Sequence, residues 1–396
     1  MSVCGTIKVL RIIPFLNTEK FVVIEVGDHY RKATSLGLDS EKNLFVRKIY
    51  EDKSGEYSLG QFLKSVKIPK RSNILVGLSA KRVITIPASV VILRDNPKED
   101  MREEELANLV SQAVWRSLNR FRAHASDRLK VGDLEVVLGS LRILNIRVDG
   151  HKVINPIGFR AKRIEFDIEQ TFVPRSLVQE FKEALPAHAE SPFYVELGSS
   201  LSKLLLRTAE EDQFVFANLG SSESSLYRIN KNARYMGSVS LPYVDHIGEV
   251  GWGDGEIGGR CADYFNIERS IARQVMRSYL EGGVSENANR TLHRMFCDSA
   301  SLFIHNTRPK LKVREVVYWN SYEYELPTYL AKKEGVHLKK VDCMAMVEKL
   351  GIKVHAPRLV GSGWRSVIPI FLDYYYLKEE NWLNTLANQR ASWLIP

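Results

Sequence analysis

The stretch from Gly139 to Val173 decides the fold and reads GSLRILNIRVDGHKVINPIGFRAKRIEFDIEQTFV. An apolar run precedes the dipeptide Asp149-Gly150, and a second apolar run surrounds Val153 and Ile154. Asp-Gly between two such runs is typical of a hairpin turn, because that turn needs positive φ. The stretch therefore predicts a strand, a tight turn, a short connection and another strand. The apolar positions of the first run are Leu141, Ile143, Ile146 and Val148.

Three short patterns follow one another here: Asp-Gly at 149–150, Asn-Pro-Ile-Gly at 155–158 and Arg-Ile-Glu at 163–165. In this order they resemble the FtsA family of cell-division proteins, where such a hairpin, turn and strand belong to a small inserted subdomain. An ordinary β-meander shows the same periodicity and is the alternative. The resemblance implies an α/β protein of the two-lobed actin-like (ribonuclease H-like) fold, with an inserted α+β subdomain of the SHS2 type.

The patterns on both sides of this stretch fit that division. FVVIEV at 21–26 is typical of a buried strand, and further strands and a short helix before residue 80 give a β-β-β-α-β order. Apolar residues at helical spacing predict a helix from Met101 to Arg122, with three glutamates in its first turn. We therefore expect a first lobe at 1–80, the inserted subdomain at 81–173, the return of the first lobe at 174–210, a second lobe at 211–360, and a closing helix on the first lobe with a C-terminal tail at 361–396.

Composition limits the class of protein. The chain is 44% hydrophobic and 26% charged, as in globular proteins, and no apolar run reaches the about 20 residues of a membrane-spanning helix. The four cysteines form no C-x-x-C pair and the nine histidines no H-E-x-x-H motif. The N-terminus also lacks a signal-peptide cleavage pattern. We therefore expect no metal site, no disulfide framework and a cytoplasmic location.

The formal charge of +9 raises the question of nucleic-acid binding. Basic clusters occur near residues 67–71, 81–82, 160–163 and 308–314, but none belongs to a recognisable nucleic-acid-binding module. A basic surface of this kind is more typical of a solvated face, or of one that approaches anionic lipid or an acidic partner. We do not expect a nucleic-acid partner.

Actin-like ATPases hold nucleotide between two strand-turn-strand loops, whose backbone N–H groups point at the phosphates while aspartates organise Mg²⁺. The resemblance places the first loop at 25–29 and the second at 218–225. It assigns the remaining nucleotide contacts, on degenerate loops, to Gly27, Asp28, Gly220, Ser221 and Ser222.

Both loops depart from the family pattern. Glu25 stands in place of an aspartate, Asn218 is neutral where a metal-organising carboxylate belongs, and Glu223 adds negative charge beside the phosphates. The adenosine loop, 319–325, has no glycine, and Tyr322 and Tyr324 are more suited to filling a purine slot than to stacking on a base. We expect no catalytic residue and at most slow hydrolysis. Whether ATP and Mg²⁺ still bind stays open.

One glycine-rich segment, GWGDGEIGG at 251–259, is expected immediately before a helix. Glycines at a helix N-terminus can bind an anion. Asp254 and Glu256 oppose an anion there, so we interpret the segment as a connection into the second lobe.

The C-terminus has the apolar face of an amphipathic helix. FtsA-like proteins end in such a helix on the membrane, and the resemblance assigns membrane contact to Trp382, Leu383, Leu386, Trp393 and Leu394. No flexible linker precedes this segment, and Glu379 and Glu380 oppose anionic lipid. Packing of the tail on the protein itself is the alternative.

These observations favour a scaffold or filament-forming protein over an enzyme. The first hypothesis is an FtsA-like protein, cytoplasmic or peripheral on the inner face of the cell membrane. It would link an FtsZ-like filament to the division or envelope machinery and self-associate into filaments. The second is a PilM-like pilus or secretion assembly protein, which has the inserted subdomain without a tail helix. The third is an actin-like ATPase that retains nucleotide binding.

Overall fold

The structure is a computed structural model. It describes residues 18–27, 30–52, 57–220, 223–231, 234–235, 239–240, 243–253, 255–312, 315–320, 326, 328–357, 363–378 and 382–391. Of the site residues predicted from the sequence, Asp28, Ser221, Ser222, Trp393 and Leu394 lie outside the described residues.

Seventeen strands and eleven helices occur within the described ranges. The strands are β1 (Glu19–Val26), β2 (Arg31–Leu38), β3 (Asn43–Asp52), β4 (Ser72–Leu78), β5 (Ile84–Leu93), β6 (Val136–Val148), β7 (His151–Val153), β8 (Arg163–Pro174), β9 (Phe193–Glu196), β10 (Gln213–Leu219), β11 (Ser224–Asn230), β12 (Arg234–Tyr235), β13 (Val239–Ser240), β14 (Tyr243–Val250), β15 (Val316–Asn320), β16 (His337–Lys340) and β17 (Lys353–His355).

The helices are α1 (Leu59–Ser65), α2 (Glu103–Leu129), α3 (Arg175–Ala184), α4 (Leu197–Thr208), α5 (Gly255–Phe265), α6 (Arg269–Leu280), α7 (Glu286–Thr307), α8 (Thr328–Lys333), α9 (Cys343–Lys349), α10 (Ile368–Lys378) and α11 (Trp382–Ala391). Short 3-10 turns occur at Asp133–Glu135, Arg308–Lys310 and Gly363–Val367. Of the helices in the described ranges, none combines the length and apolar character that crossing a membrane requires.

Two sheets repeat one arrangement. In the first, β3, β2 and β1 are antiparallel neighbours, followed by β4 and β9 in parallel. In the second, β14, β11 and β10 are antiparallel neighbours, followed by β15 and β16 in parallel. Two lobes with this same strand order constitute the actin-like fold, so the predicted fold class is confirmed.

Strand β17 adds a sixth strand to the first sheet, parallel to β3. The predicted second lobe, 211–360, is therefore too long at its end, because residues 353–355 belong to the sheet of the first lobe. Helix α9 also contributes Met346 and Val347 to an apolar core shared with β1 and α10. The other segment boundaries remain a proposal.

A separate antiparallel sheet has the order β5-β8-β6-β7. The apolar face of α2 packs on this sheet through residues such as Leu106, Val110 and Val114. The turn between β6 and β7 is formed by Asp149 and Gly150 with φ of 48° and 92°, as the Asp-Gly pattern predicts. The second apolar run is shorter than expected, because Ile154 follows β7 and is 87% exposed.

The last described helix, α11, packs on this separate sheet. Leu383 and Ala387 are buried in the core formed by α2, β6 and β8. The side-chain oxygen of Asn384 accepts a hydrogen bond of 2.6 Å from the backbone N–H of Ile143 in β6. Since β7 pairs only with residues 146–148 of β6, α11 covers the strand edge beyond it.

Candidate functional site

The two predicted phosphate loops lie at the ends of corresponding strands. Gly27 follows β1 in the first lobe, and Gly220 follows β10 in the second lobe. These are the positions at which an actin-like fold holds phosphates between its lobes, so the geometry of each loop shows whether a nucleotide fits.

The ring of Tyr30 lies against Gly27 in the first loop. The N–H of Gly27 donates to the carbonyl of Tyr30 at 3.0 Å, and a Cβ at Gly27 would lie 2.2 Å from Cε1 of Tyr30. The glycine therefore allows close approach of a side chain of the protein itself. The hydroxyl of Tyr30 donates a short hydrogen bond to the carboxylate of Glu25.

Glu25, the replacement for the family aspartate, is buried and fully engaged. Its other carboxylate oxygen is 3.1 Å from Nζ of Lys32 and accepts from the hydroxyl of Ser366. Nζ of Lys32 also donates to Ser366 at 2.6 Å. A carboxylate that organises Mg²⁺ through water must face the cleft. This one is neutralised inside the first lobe instead.

The second loop is closed by a tight turn. The N–H of Gly220 donates to the carbonyl of Glu223 at 3.1 Å, and a Cβ at Gly220 would lie 2.6 Å from that oxygen. The carboxylate of Glu223 is 2.9 Å from Nζ of Lys81, in the connection between β4 and β5. Burial, and then the charge of Glu223, raise the pKa of Glu249 in β14. Two carboxyl groups, one of them paired with Lys81, therefore lie at the loop where phosphates would bind.

Of the adenosine segment 319–325, the structure describes Trp319 and Asn320. Asn320 ends β15 and is buried, and its Nδ2 has no hydrogen-bond partner among the described residues. One amide donor does not substitute for a set of backbone N–H groups around phosphates. Tyr322 and Tyr324 lie outside the described residues.

The glycine-rich segment at 251–259 differs from its prediction. Helix α5 starts at Gly255, so Gly258 and Gly259 lie inside the helix and do not precede it. Asp254 lies outside the described residues. The segment joins β14 to α5, as expected of a connection into the second lobe.

A second candidate site is a groove of about 570 Å³ between the inserted sheet and helices α4 and α10. Strands β5, β6 and β8 form one wall, and Leu383 of α11 and Val244 of β14 complete the lining. Ile154, just after β7, is at its rim and highly exposed. Sequence analysis did not single out this groove.

Buried charges cross the base of the groove. Nη1 of Arg142 donates to Asp373 at 2.6 Å and lies 3.2 Å from Glu169. Nζ of Lys203 lies 2.7 Å from Glu169 and 3.3 Å from Asp373, which also accepts from Ser200 at 2.8 Å. Burial alone would raise the pKa of Asp373, but the charges of Arg142 and Lys203 outweigh it and hold that pKa well below its usual value.

Part of this network has unused hydrogen-bonding capacity. Nε and Nη2 of Arg142 have no hydrogen-bond partner within the described ranges, although the guanidinium is buried and lies 4.7 Å from the ring centre of Phe193. Buried donors are normally satisfied. Both nitrogen atoms have almost no accessible surface, so an acceptor in the groove would reach them only after a movement of the Arg142 side chain.

The sequence contains a signal for this site. Arg142 in β6 and Asp167 and Glu169 in β8 are buried, and charges buried in strands need partners. Asp373, the partner of Arg142, lies in α10, 231 residues further along the chain, and no local pattern indicates this pairing.

The predicted membrane face is corrected in part. Leu383 is only 1% exposed and Leu386 is partly buried against the inserted sheet, so their contacts are with the protein. Trp382 is 40% exposed. The alternative was packing on the protein itself, and α11 packs on the inserted sheet.

No family model matches the sequence, and no curated protein matches it. Among solved structures, the PilM-PilN type IV pilus biogenesis complex is 17% identical over 90% of this chain and 97% of that chain, with a TM-score of 0.48. A protein of Bacteroides thetaiotaomicron with an actin-like ATPase fold and unknown function is 9% identical over 89% and 96%, with a TM-score of 0.35. EutJ, an ethanolamine utilization protein of Carboxydothermus hydrogenoformans, is 11% identical over 91% and 92%, with a TM-score of 0.35. Likenesses this distant say nothing about what this chain binds.

Proposed function

We propose that this protein is an actin-like assembly scaffold that binds a segment of a partner protein in the groove of its inserted sheet. The observation that carries the proposal is the buried, incompletely bonded guanidinium of Arg142 at the base of an open groove. A scaffold acts through its binding surfaces and needs no catalytic turnover. This agrees with the two phosphate loops between the lobes, which lack the family's aspartates.

The cleft supports a role without catalysis. The ring of Tyr30 lies against Gly27, Lys32 neutralises Glu25, and Glu223 of the second loop is paired with Lys81. Nucleotide binding through Gly27, Asp28, Gly220, Ser221 and Ser222 is therefore not part of the proposal, and neither is hydrolysis of ATP with Mg²⁺.

The groove suits an extended chain with both polar and apolar groups. Arg142 lines the groove together with Asp167 and Glu169, and two donors of its guanidinium have no partner within the described ranges. The two carboxylates are paired with Arg147, Arg142 and Lys203. Apolar lining comes from residues such as Ile146, Leu204 and Leu372. Ligand sites in proteins combine apolar walls with a few convergent polar groups in this way.

Of the two scaffold hypotheses, the packing of α11 favours the PilM-like one, in pilus or secretion assembly. An FtsA-like protein needs a tail helix whose apolar face meets lipid. In α11, Leu383 and Ala387 are buried against the inserted sheet. The FtsA-like role, with an FtsZ-like filament as partner and with self-association, remains the second version.

The test is site-specific photocrosslinking in the organism that makes the protein. A photoreactive amino acid replaces Ile154 at the groove rim, and in a control replaces Leu134, which is 79% exposed and does not line the groove. We expect position 154, and not 134, to crosslink to an envelope protein of a pilus or secretion apparatus. Substitution of Arg142→Leu should abolish that crosslink.

A crosslink from position 154 to an FtsZ-like protein would instead support the FtsA-like version. Equal crosslinking from both positions, or crosslinks unaffected by Arg142→Leu, would contradict the groove as the binding site. Folding of each variant is checked by circular dichroism before the comparison.

A further inference from the structure

Four side chains of the second lobe form a connected cluster near its surface. The hydroxyl of Tyr279 on α6 lies 2.9 Å from Nδ1 of His293 on α7. Nε2 of the same histidine lies 3.5 Å from Sγ of Cys297, one helical turn further along. The hydroxyl of Tyr329 on α8 lies 3.0 Å from that sulfur. Neither the groove nor the cleft uses these groups.

The contacts of His293 fix what each ring nitrogen can do. A neutral imidazole carries one N–H and one lone pair. If Nδ1–H donates to the hydroxyl oxygen of Tyr279, the lone pair of Nε2 faces the thiol. A nucleophile, a base beside it and a third group that orients the base are the arrangement of an activated nucleophile.

Solvent exposure distinguishes Cys297 from the other described cysteines. Cys297 is partly exposed, and His293 and Tyr329 are exposed. Cys261 and Cys343 are buried. Burial raises the pKa of Cys261, and it raises the pKa of Cys343 to about 12. These two thiols are therefore internal references for an inert cysteine.

We propose that Cys297 is a reactive thiol and a site of reversible mixed-disulfide formation with low-molecular-weight disulfides, with His293 as the base that takes its proton. Nε2 accepts the thiol proton, and the thiolate attacks one sulfur of the disulfide. A new bond forms between Sγ and that sulfur, and the S–S bond of the reagent breaks. The electron pair leaves with the second sulfur, which takes the proton back from the imidazolium. Cys297 is oxidised and the released thiol is reduced.

The experiment uses the full chain with Cys4→Ser, because Cys4 lies outside the described residues. The protein is treated with an aromatic disulfide whose released thiolate is coloured, and separately with glutathione disulfide. We expect a single rapidly reacting thiol, which peptide mass spectrometry locates at Cys297. Substitution of His293→Gln should slow this reaction about tenfold. Cys297→Ser should remove the rapid reaction.

The matched control is His305→Gln, an exposed histidine on the same helix, which should leave the rate unchanged. Tyr279→Phe removes only the hydroxyl that orients the imidazole of His293, and it should slow the reaction less than His293→Gln. The proposal is overturned if Cys297 reacts no faster in the native protein than the cysteines of the urea-unfolded chain. It is equally overturned if His293→Gln reacts at the unchanged rate, since His293 then takes no proton.

Discussion

The ring of Tyr227, in β11 of the second lobe, lies directly against Gly198, in α4 of the first lobe. A Cβ at Gly198 would lie 2.3 Å from the hydroxyl oxygen of Tyr227. That hydroxyl donates to the buried carboxylate of Glu196, whose other oxygen accepts from the N–H of Thr85 at 3.1 Å. One buried carboxylate therefore joins the second lobe to the first strand of the inserted sheet.

A methyl group at position 198 should push Tyr227 away from Glu196. We expect Gly198→Ala to lower the free energy of unfolding by about 1–3 kcal/mol, because the core is overpacked. Gly60→Ala is the matched control, since Gly60 is also helical and nothing lies within 4 Å of its Cβ position. It should raise the free energy of unfolding by about 0.5–1 kcal/mol. Urea denaturation measures both, and equal effects would contradict the contact.

Removal of the charge of Asp373 should destabilise the groove. Asp373→Asn leaves the buried guanidinium of Arg142 without the carboxylate that it contacts at 2.6 Å. We expect the free energy of unfolding to fall by about 3 kcal/mol. Asp100→Asn is the control, because its ion pair with Arg160 is exposed on both sides and contributes little. Chemical denaturation at neutral pH measures the free energy of unfolding of both variants. A loss no larger than that of the control would show that Arg142 finds another partner.

The carboxylate of Asp373 should also make the stability of the protein depend on pH in the acid range. The pKa of Asp373 is lower in the folded protein than its usual 3.8, so its stabilisation is fully present above pH 3.8 and is lost as the pH falls below it. In that acid range the free energy of unfolding should fall less steeply in Asp373→Asn than in the native protein. If the free energy of unfolding fell equally steeply with pH in both proteins, Asp373 would not be a source of the acid sensitivity.

The cleft should not bind nucleotide in a metal-dependent way. Titration with a fluorescent ATP analogue is expected to give the same weak signal with and without Mg²⁺, because Glu25 is neutralised by Lys32 and Asn218 is uncharged. Asn218→Asp alone should not restore binding, since the ring of Tyr30 still lies against Gly27 in the first loop. Steady phosphate release above a boiled control, abolished by Gly220→Asp, would contradict the prediction that the cleft does not use nucleotide.

Helix α11 should contribute to stability and not to lipid binding. Leu383→Ala is expected to cost about 3 kcal/mol of unfolding free energy, as for a buried leucine. Thr385→Ala, on the exposed side of the same helix, should change little. Flotation with anionic liposomes accompanies the denaturation curves. Binding to liposomes that Leu383→Ala abolishes without a change in stability would instead support a membrane helix.

Local features of this chain could be predicted from the sequence because their causes are local. The Asp149-Gly150 turn requires positive φ at adjacent residues, and α2 has its own apolar periodicity. The positions of Gly27 and Gly220 at strand ends could be predicted for the same reason. The state of the cleft could not, because Glu25 is bonded to Ser366, 341 residues away. The groove likewise depends on Arg142 and Asp373, which no local pattern connects.

The contact between Asn384 and Ile143 joins residues 241 positions apart. At ordinary rates of translation, roughly 10 to 50 s separate the synthesis of the two residues. During that interval the nascent chain carries β6 with the edge beyond β7 uncovered, and an uncovered strand edge is a template for pairing with other chains. The chain is therefore more prone to aggregation before α11 is synthesised than afterwards, and the docking of α11 ends this exposure.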